Sequence, residues 1–375
     1  MSIRKRTWTT AKGQEKTAWV TDYVDGKGVR RLKTFARKKE ADAFASTAAV
    51  EVREGVHVAD RDTVTVKQAG AMWIASSEAA ALDRSTIEAY RQRLDLHIAP
   101  FIGSEKLSKI TVLAVRGFAD TLRAHGRSAA MIKKAITALG ALLSDAQERG
   151  LVTRNAVKEM SRGRKGSEKR SKRLLAPGVD IPTPAEIRAF LAGLEGRWRP
   201  ILLTAVFSGL RSSELRGLRW QDVDFQKGEI AVRQRSDKWG VIGSTKSHAS
   251  QRTVPVPPVV VNTLKEWKLQ SGTAELVFPN GRGNPESHSN IVNRGLIPAM
   301  RRTGLDYTGL HALRHFYASW LINPKEGGGL GLDMKTVQAR MGHSSIVVTA
   351  DVYSHLFPRS DDGKQLSDAA DALFS

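Results

Sequence analysis

The stretch "TGLHALRHFYASWLI", Thr308 to Ile322, decides how the rest of the chain is read. Its apolar residues recur at helical spacing and Thr308 can cap, so it predicts a helix running to about Ile322. His311, Arg314 and His315 stand at i, i+3 and i+4 and therefore share one helix face. Three readings compete for that face. A histidine pair four residues apart is a metal-ligand spacing, as in zinc helices. Here, however, Ala312 stands where a catalytic glutamate would follow the first histidine, and Arg314 puts a cation between the ligands. The histidines can instead be core or capping groups. Or the face binds an anion, with a guanidinium fork and two imidazoles as donors. The choice needs partners from elsewhere in the chain.

Downstream, "MGHSSIVVTADVYSHL" (Met341 to Leu356) holds Tyr353, one of five tyrosines, with His343 ten residues before it and His355 two after. Tyr353 can be a core aromatic, a neighbour of a histidine metal site, or a nucleophile. Thr349 reads as the cap of a short helix carrying Tyr353, and His355 has no assigned role.

Upstream, "FSGLRSSELRGLRWQDVDF" begins at Phe207. Gly209 should end the apolar helix "RPILLTAVFSG", and Ser212 or Ser213 should cap the next one. Arg211 then occupies the tight turn between them, where the amides of a helix N-terminus favour an anion. Glu214, one turn into that helix, can fix its guanidinium. The alternative is a surface arginine beside a capping glutamate. Two strand-like segments follow, "EIAVRQR" and "QRTVPVP", joined by a long loop. Lys246, in "STKSHASQRTVPV", lies in the turn before the second strand, free to swing or merely solvated. Thr183, Pro184 at the first helical position and Glu186 make a strong helix start. Residues 180–375 thus read as a mixed, mainly α-helical domain with a small antiparallel sheet.

Composition bounds the partners. The chain has 375 residues, a formal charge of +21 and no cysteine. Disulfides, thiol catalysis and cysteine zinc motifs are excluded. No run of about 18 apolar residues occurs, and the start "MSIRKRTWTT" lacks an apolar stretch, so neither a membrane span nor a secretory signal is expected. A cytoplasmic, nucleoid-associated protein is expected. The positive surplus is spread over the whole chain, which favours nucleic acid over a membrane surface.

Residues 1–60 read as a small sheet plus one helix. "TAWVTDYVDGKGVRRLKTF" alternates around the turn "DGKG", a short strand is expected near Trp8, and "KKEADAFASTAAVEVREG" follows as a helix ending at Gly55. Residues 64–160 read as an all-α bundle, with Thr65, Ser85 (with Glu88) and Thr111 as caps and a last helix stopping at Gly150. "SRGRKGSEKRSKR", from Ser161, holds seven basic residues and one acid; residues 161–179 are expected to form a solvated linker. Arg30, Arg31, Lys33, Arg84, Lys133, Lys134, Arg164 and Lys165 are candidate DNA contacts of the backbone-positioning kind, an ordinary solvated face being the alternative.

Together "SGLRSSEL", "TKSHASQRTVPV", "HALRH", "MGHSS" and "DVYSHL", in this order over most of residues 205–356, resemble the tyrosine recombinases, or phage-type integrases. The resemblance implies site-specific exchange of phosphodiester bonds in double-stranded DNA, with catalytic roles for Arg211, Lys246, His311, Arg314, His343 and Tyr353 and accessory roles for Glu214 and His315. It implies that the two arginines and two histidines hold the phosphate, that Tyr353 attacks with His311 as candidate base, and that Lys246 protonates the departing 5′ oxygen. The product would be a 3′-phosphotyrosyl enzyme. Because the number of phosphodiester bonds is unchanged, neither ATP nor a metal or other cofactor is required. The first two units look like arm-binding and core-binding (SAM-like) domains. A homotetramer on att-like sites follows, with an excisionase and a DNA-bending protein as accessory partners. In the tail, Leu366, Ala369, Ala370, Leu373 and Phe374 recur at helical spacing and suit packing on a neighbouring subunit or on their own domain.

Overall fold

The computed structural model describes residues 1–11, 13–25, 28–53, 63–162, 174–245, 248–272, 274–307, 309–357 and 371. Lys246, Arg164, Lys165, Thr308, Gly55, most of the basic linker and the apolar stripe of the tail lie outside the described residues. The chain divides into two compact units, Met1–Lys169 and Arg170–Ser375.

In the first unit β1 (Ser2–Thr9), β2 (Glu15–Val24) and β3 (Arg30–Phe35) form an antiparallel sheet in the order β1-β2-β3. β1 is a full eight-residue strand pairing Ser2 with Asp22 through Thr9 with Glu15, longer than the short strand expected near Trp8. It is an edge strand with almost every residue exposed, so it carries no apolar alternation for a sequence reading to find. Helix α1 (Lys38–Arg53) packs on the sheet, with Phe44 against Tyr23 and Phe35 at ring distances of 5.5 and 5.3 Å.

The same unit continues as helices α2 (Val66–Ala79), α3 (Arg84–Arg93), a π-helical turn at Leu94–Ile98, α4 (Ala99–Ile102), α5 (Val112–Ala124), α6 (Ala129–Glu148) and α7 (Ala156–Arg162). Thr65 caps α2 in a reciprocal box with Gln68, and Thr111 caps α5. The cap of α3 differs from expectation: Asp83, not Ser85, closes it, its carboxylate accepting from the Ser85 amide at 2.9 Å. A carboxylate two positions earlier outcompetes the hydroxyl because it also takes the Ser85 O–H at 2.6 Å. Leu122, Leu139 and Leu142 are fully buried in the core and Trp73 stacks on Tyr90. Each such burial contributes about 1.5–3 kcal/mol.

The second unit runs α8 (Pro184–Ala192), α9 (Arg199–Ser208), α10 (Ser212–Arg216), β4 (Val223–Asp224), β5 (Glu229–Val232), β6 (Gln234–Ser236), β7 (Ile242–Ser244), β8 (Arg252–Pro255), α11 (Pro258–Ser271), α12 (His288–Asn290), a π-helical turn at Ile291–Leu296, α13 (Ile297–Arg302), α14 (Leu310–Ile322), α15 (Met334–Met341) and α16 (Ile346–Tyr353). One sheet has the order β4-β5-β8; the expected strand "EIAVRQR" is split at Arg233 into β5 and the start of β6, and β6 forms a separate hairpin with β7, which lies in the expected loop. Thr183 and Glu186 cap α8 reciprocally. Helix α9 is apolar on every side and buried along nearly its whole length, as such a helix must be. Among the described residues no helix is long and apolar enough to cross a membrane.

Gly209 ends α9 with φ 58°. A Cβ there would fall 2.2 Å from the Tyr317 ring of α14. Only glycine satisfies both the left-handed conformation and this approach. The turn therefore lies against α14, which brings Arg211 and Arg314 to one place.

Candidate active site

The site is organised by the C-terminal end of α15. A helix end leaves carbonyls without intrahelical donors, and here each finds one. The Gly342 amide donates to Ala339 and Gln338, and the His343 amide to Gln338 at 3.2 Å. The next three carbonyls each accept from a different arginine. Arg252 Nε donates to Arg340 O at 2.7 Å, Arg314 Nη2 to Met341 O at 2.5 Å, and Arg211 Nη2 to Gly342 O at 3.0 Å. The negative end of the helix dipole favours cations at this place. Gly342, at φ 63°, makes the turn possible; a Cβ would lie 2.8 Å from Arg252 Nη1.

Glu214 joins two of the three guanidiniums. Oε1 accepts from Arg211 Nη1 at 2.9 Å and Arg252 Nη1 at 3.2 Å, while Oε2 accepts from the Arg211 amide at 2.8 Å and Arg252 Nη2 at 3.0 Å. Its backbone bond makes Arg211 itself the N-cap of α10, so neither Ser212 nor Ser213 has that place. Ser212 Oγ instead lies 2.7 Å from His288 Nδ1. Three positive groups against one carboxylate leave the cluster at a formal +2, suited to an anion. Arg314 is 2% exposed and also donates to Gly209 O; burial and then Arg211 push its guanidinium down to about 9. Arg211 is the more open cation, with 36% of its side chain exposed.

Tyr353 ends α16 and is 2% exposed. Its hydroxyl lies 2.7 Å from His315 Nδ1, and its ring is parallel to that of His343 at 6.3 Å. Burial raises the phenol to about 12, with Arg314 and Arg211 acting in the opposite sense. His315 and His343 are each pushed down to about 4, first by burial and then by His311 and Arg314 for His315, and by Arg314, Arg211, Arg252 and His311 for His343. Both imidazoles are therefore neutral near pH 7. His311 is exposed overall and packs edge-on to His315 at 4.6 Å; partial desolvation of its ring, then Arg314 and Arg211, lower it from its ordinary value.

The cap of α16 is Ser345, whose hydroxyl accepts from the Val347 amide, not Thr349 as the sequence suggests. Thr349 lies within the helix, fully buried, 2.9 Å from His343 Nδ1. That contact engages Nδ1 and leaves Nε2 as the ring nitrogen for a ligand. His355 is structural: its Nε2 lies 2.8 Å from Leu175 O. Among the described residues no group of three or more histidine, aspartate and glutamate side chains could hold a metal ion.

Arg211, Glu214, His311, Arg314, His315, His343 and Tyr353 are thus brought together. Arg252 is a member that the sequence reading missed. The available signal was register: in β8 Arg252 is two residues from fully buried Val254, so a cation occupies the inward phase of a strand. The candidate DNA contacts are more dispersed. Arg30 pairs with Asp22 at 3.0 Å yet stays 70% exposed, Arg31 pairs with buried Asp25, and Lys33 lies over the Phe44 ring at 4.3 Å. Arg84, Lys133 and Lys134 are exposed on α3 and α6.

A buried tyrosine in contact with two neutral histidines and within the field of Arg314 and Arg211 has the make-up that phosphoryl transfer to a tyrosine would need. Residues 183–359 match the phage integrase family, and residues 65–123 match the N-terminal SAM-like domain of phage integrases. A tyrosine recombinase XerC-like protein of Caldanaerobacter subterraneus subsp. tengcongensis is 26% identical over 386 residues, covering 93% of this chain and 92% of that protein. Tyrosine recombinase XerC of Xylella fastidiosa is 29% identical over 280 residues, covering 72% of this chain and 86% of that one. Among solved structures, the Tn1549 transposon integrase in complex with transposon right end DNA has a TM-score of 0.64 at 19% identity, covering 83% of this chain and all of that one. A lambda integrase tetramer bound to a Holliday junction has 0.57 at 18%, covering 94% of each. The chain belongs to the phage integrase family of tyrosine recombinases, and its multidomain, mainly helical fold with small antiparallel sheets is the one those integrases share.

Proposed function

We propose that this recombinase integrates or excises a phage or other mobile element by cutting and rejoining DNA at att-like sites through a 3′-phosphotyrosyl intermediate. The observation that carries the reading is Tyr353 lying within the field of Arg314 and Arg211, two of the three arginines held by one helix end. The scissile phosphodiester would approach Arg211, the open guanidinium. Arg314, Arg252 and the dipole-ordered cluster beneath it stabilise the charge that develops in the transition state. His311 and the Nε2 of His343 donate further hydrogen bonds to the phosphate. Tyr353 attacks phosphorus and Lys246 protonates the departing 5′ oxygen. Rejoining reverses these steps on the partner strand. Recombining two duplexes takes four cuts, so four subunits assemble on the DNA, with an excisionase and a bending protein setting direction and shape. In the cell the protein would then sit on the nucleoid.

A DNA duplex nicked close to the cleavage site loses its 5′-hydroxyl fragment after the cut and traps the covalent stage. Incubated with the full chain in EDTA, it should accumulate a protein–DNA adduct stable to SDS. Absence of the adduct on any DNA that supports recombination would overturn the reading.

A further inference from the structure

We infer that His315, rather than His311, takes the proton from Tyr353 during strand cleavage. The inference rests on the tyrosine-nucleophile reading above and concerns a single atom, the hydroxyl of Tyr353. A buried hydroxyl needs an acceptor for its proton. Among the described residues the hydrogen bond that the Tyr353 hydroxyl makes is the one to His315 Nδ1, at 2.7 Å. If Nδ1 carried the proton and donated, the phenol proton would have no acceptor. The consistent arrangement is a neutral His315 protonated on Nε2, with the Nδ1 lone pair facing the phenol. His311, by contrast, is exposed and touches the His315 ring, not the tyrosine.

Several groups set the basicity of His315. His311 and Arg314 of its own helix disfavour its cation, as does burial, whereas Asp180, from the segment before α8, favours it. Tyr353, on α16, is the partner, and His343, beside it, is neutral. Burial holds the phenol protonated near neutral pH, so a base must take its proton as the bond to phosphorus forms. The step then balances: the Tyr353 Oη–P bond forms, the P–O5′ bond breaks, the phenol proton moves to His315 Nδ1, and the 5′ oxygen takes its own proton from a separate acid. On rejoining, His315 returns its proton to the departing phenolate.

The test is single-turnover cleavage of the nicked substrate by the full chain carrying His315→Ala or His315→Gln. Both should cleave about 10²–10⁴-fold more slowly near neutral pH, with DNA affinity within a few-fold of wild type. Glutamine keeps a hydrogen-bond acceptor but cannot take a proton, so recovery in His315→Gln would reduce the residue to positioning and overturn the inference. A substrate with a sulfur in place of the bridging 5′ oxygen needs no proton on its leaving group; it should leave His315→Ala slow, and rescue would also overturn the inference. Added imidazole should restore His315→Ala, and its rate should climb with pH as hydroxide takes over the base's work. Wild-type-like cleavage by His315→Ala while Tyr353→Phe is inert would reject His315 and leave the nucleophile standing. An unreactive wild type would reject the underlying reading instead.

Discussion

Arg314→Ala should slow single-turnover cleavage by about 10²–10³-fold, the loss typical of removing one preorganised donor from a transition-state site. DNA affinity should fall far less, because Arg314 is buried and most DNA affinity comes from exposed cations on the phosphate backbone. Arg314→Lys should rescue little. The guanidinium spans Gly209 O and Met341 O at once, and a single ammonium at the end of a flexible stem cannot replace a planar fork. Quench-flow cleavage together with an electrophoretic binding titration checks both halves. Equal losses in rate and affinity would make Arg314 an ordinary backbone contact.

Glu214 should show the largest stability effect. It is 3% exposed and faces two guanidiniums. Glu214→Ala leaves Arg211 and Arg252 as uncompensated neighbours, and breaking a buried pair in this way costs about 3–5 kcal/mol. Thermal unfolding of the variant measures it. The pH dependence has a definite sign. Burial alone would raise the carboxyl; Arg252 and then Arg211 outweigh it and hold it below its ordinary value of 4.5. A group depressed in the folded state stabilises fully above its unfolded pKa, and that contribution is lost as pH falls through the folded value. Wild-type melting temperature should therefore be level in this respect above pH 4.5 and drop below it. Glu214→Gln should start lower and show a shallower acid loss. An unchanged acid limb in that variant would contradict the assignment.

The parts of the fold that could be read from the sequence are those fixed within a few residues. Thr65, Thr111 and Thr183 cap helices because each hydroxyl meets an amide three positions on. Gly209 ends α9 because no other residue tolerates its backbone and its approach to Tyr317. Where two local solutions compete, the sequence does not decide. Asp83 displaced Ser85, and Ser345 displaced Thr349, because each alternative side chain had another use. For Thr349 that use is His343, which lies in the turn before the helix.

The site was legible as a set of residues and illegible as an arrangement. Arg211, His311, Arg314, His343 and Tyr353 stand in recognisable motifs. That three arginines meet three successive carbonyls at Arg340, Met341 and Gly342 is a tertiary fact. Arg252 sits inside a quoted motif, "TKSHASQRTVPV", but only the pairing of β5 with β8 shows that it faces inward. The contact between Tyr353 and His315 joins residues 38 apart on two helices, and helical spacing favoured His311 equally. The structure also links Tyr353 and the cations through one stretch of chain. The end of α15 orders the arginines, and two residues beyond Gly342 the chain enters the turn that begins α16 and leads to Tyr353.

The most direct measurement is the identity of the amino acid joined to DNA. The adduct formed on a nicked substrate by the full chain can be digested with nuclease and protease and the modified peptide sequenced by mass spectrometry. A nucleotide 3′-phosphate attached to Tyr353, and no adduct from Tyr353→Phe, is the expected result. A nucleotide on any other residue, or an undiminished adduct from Tyr353→Phe, would contradict the central claim.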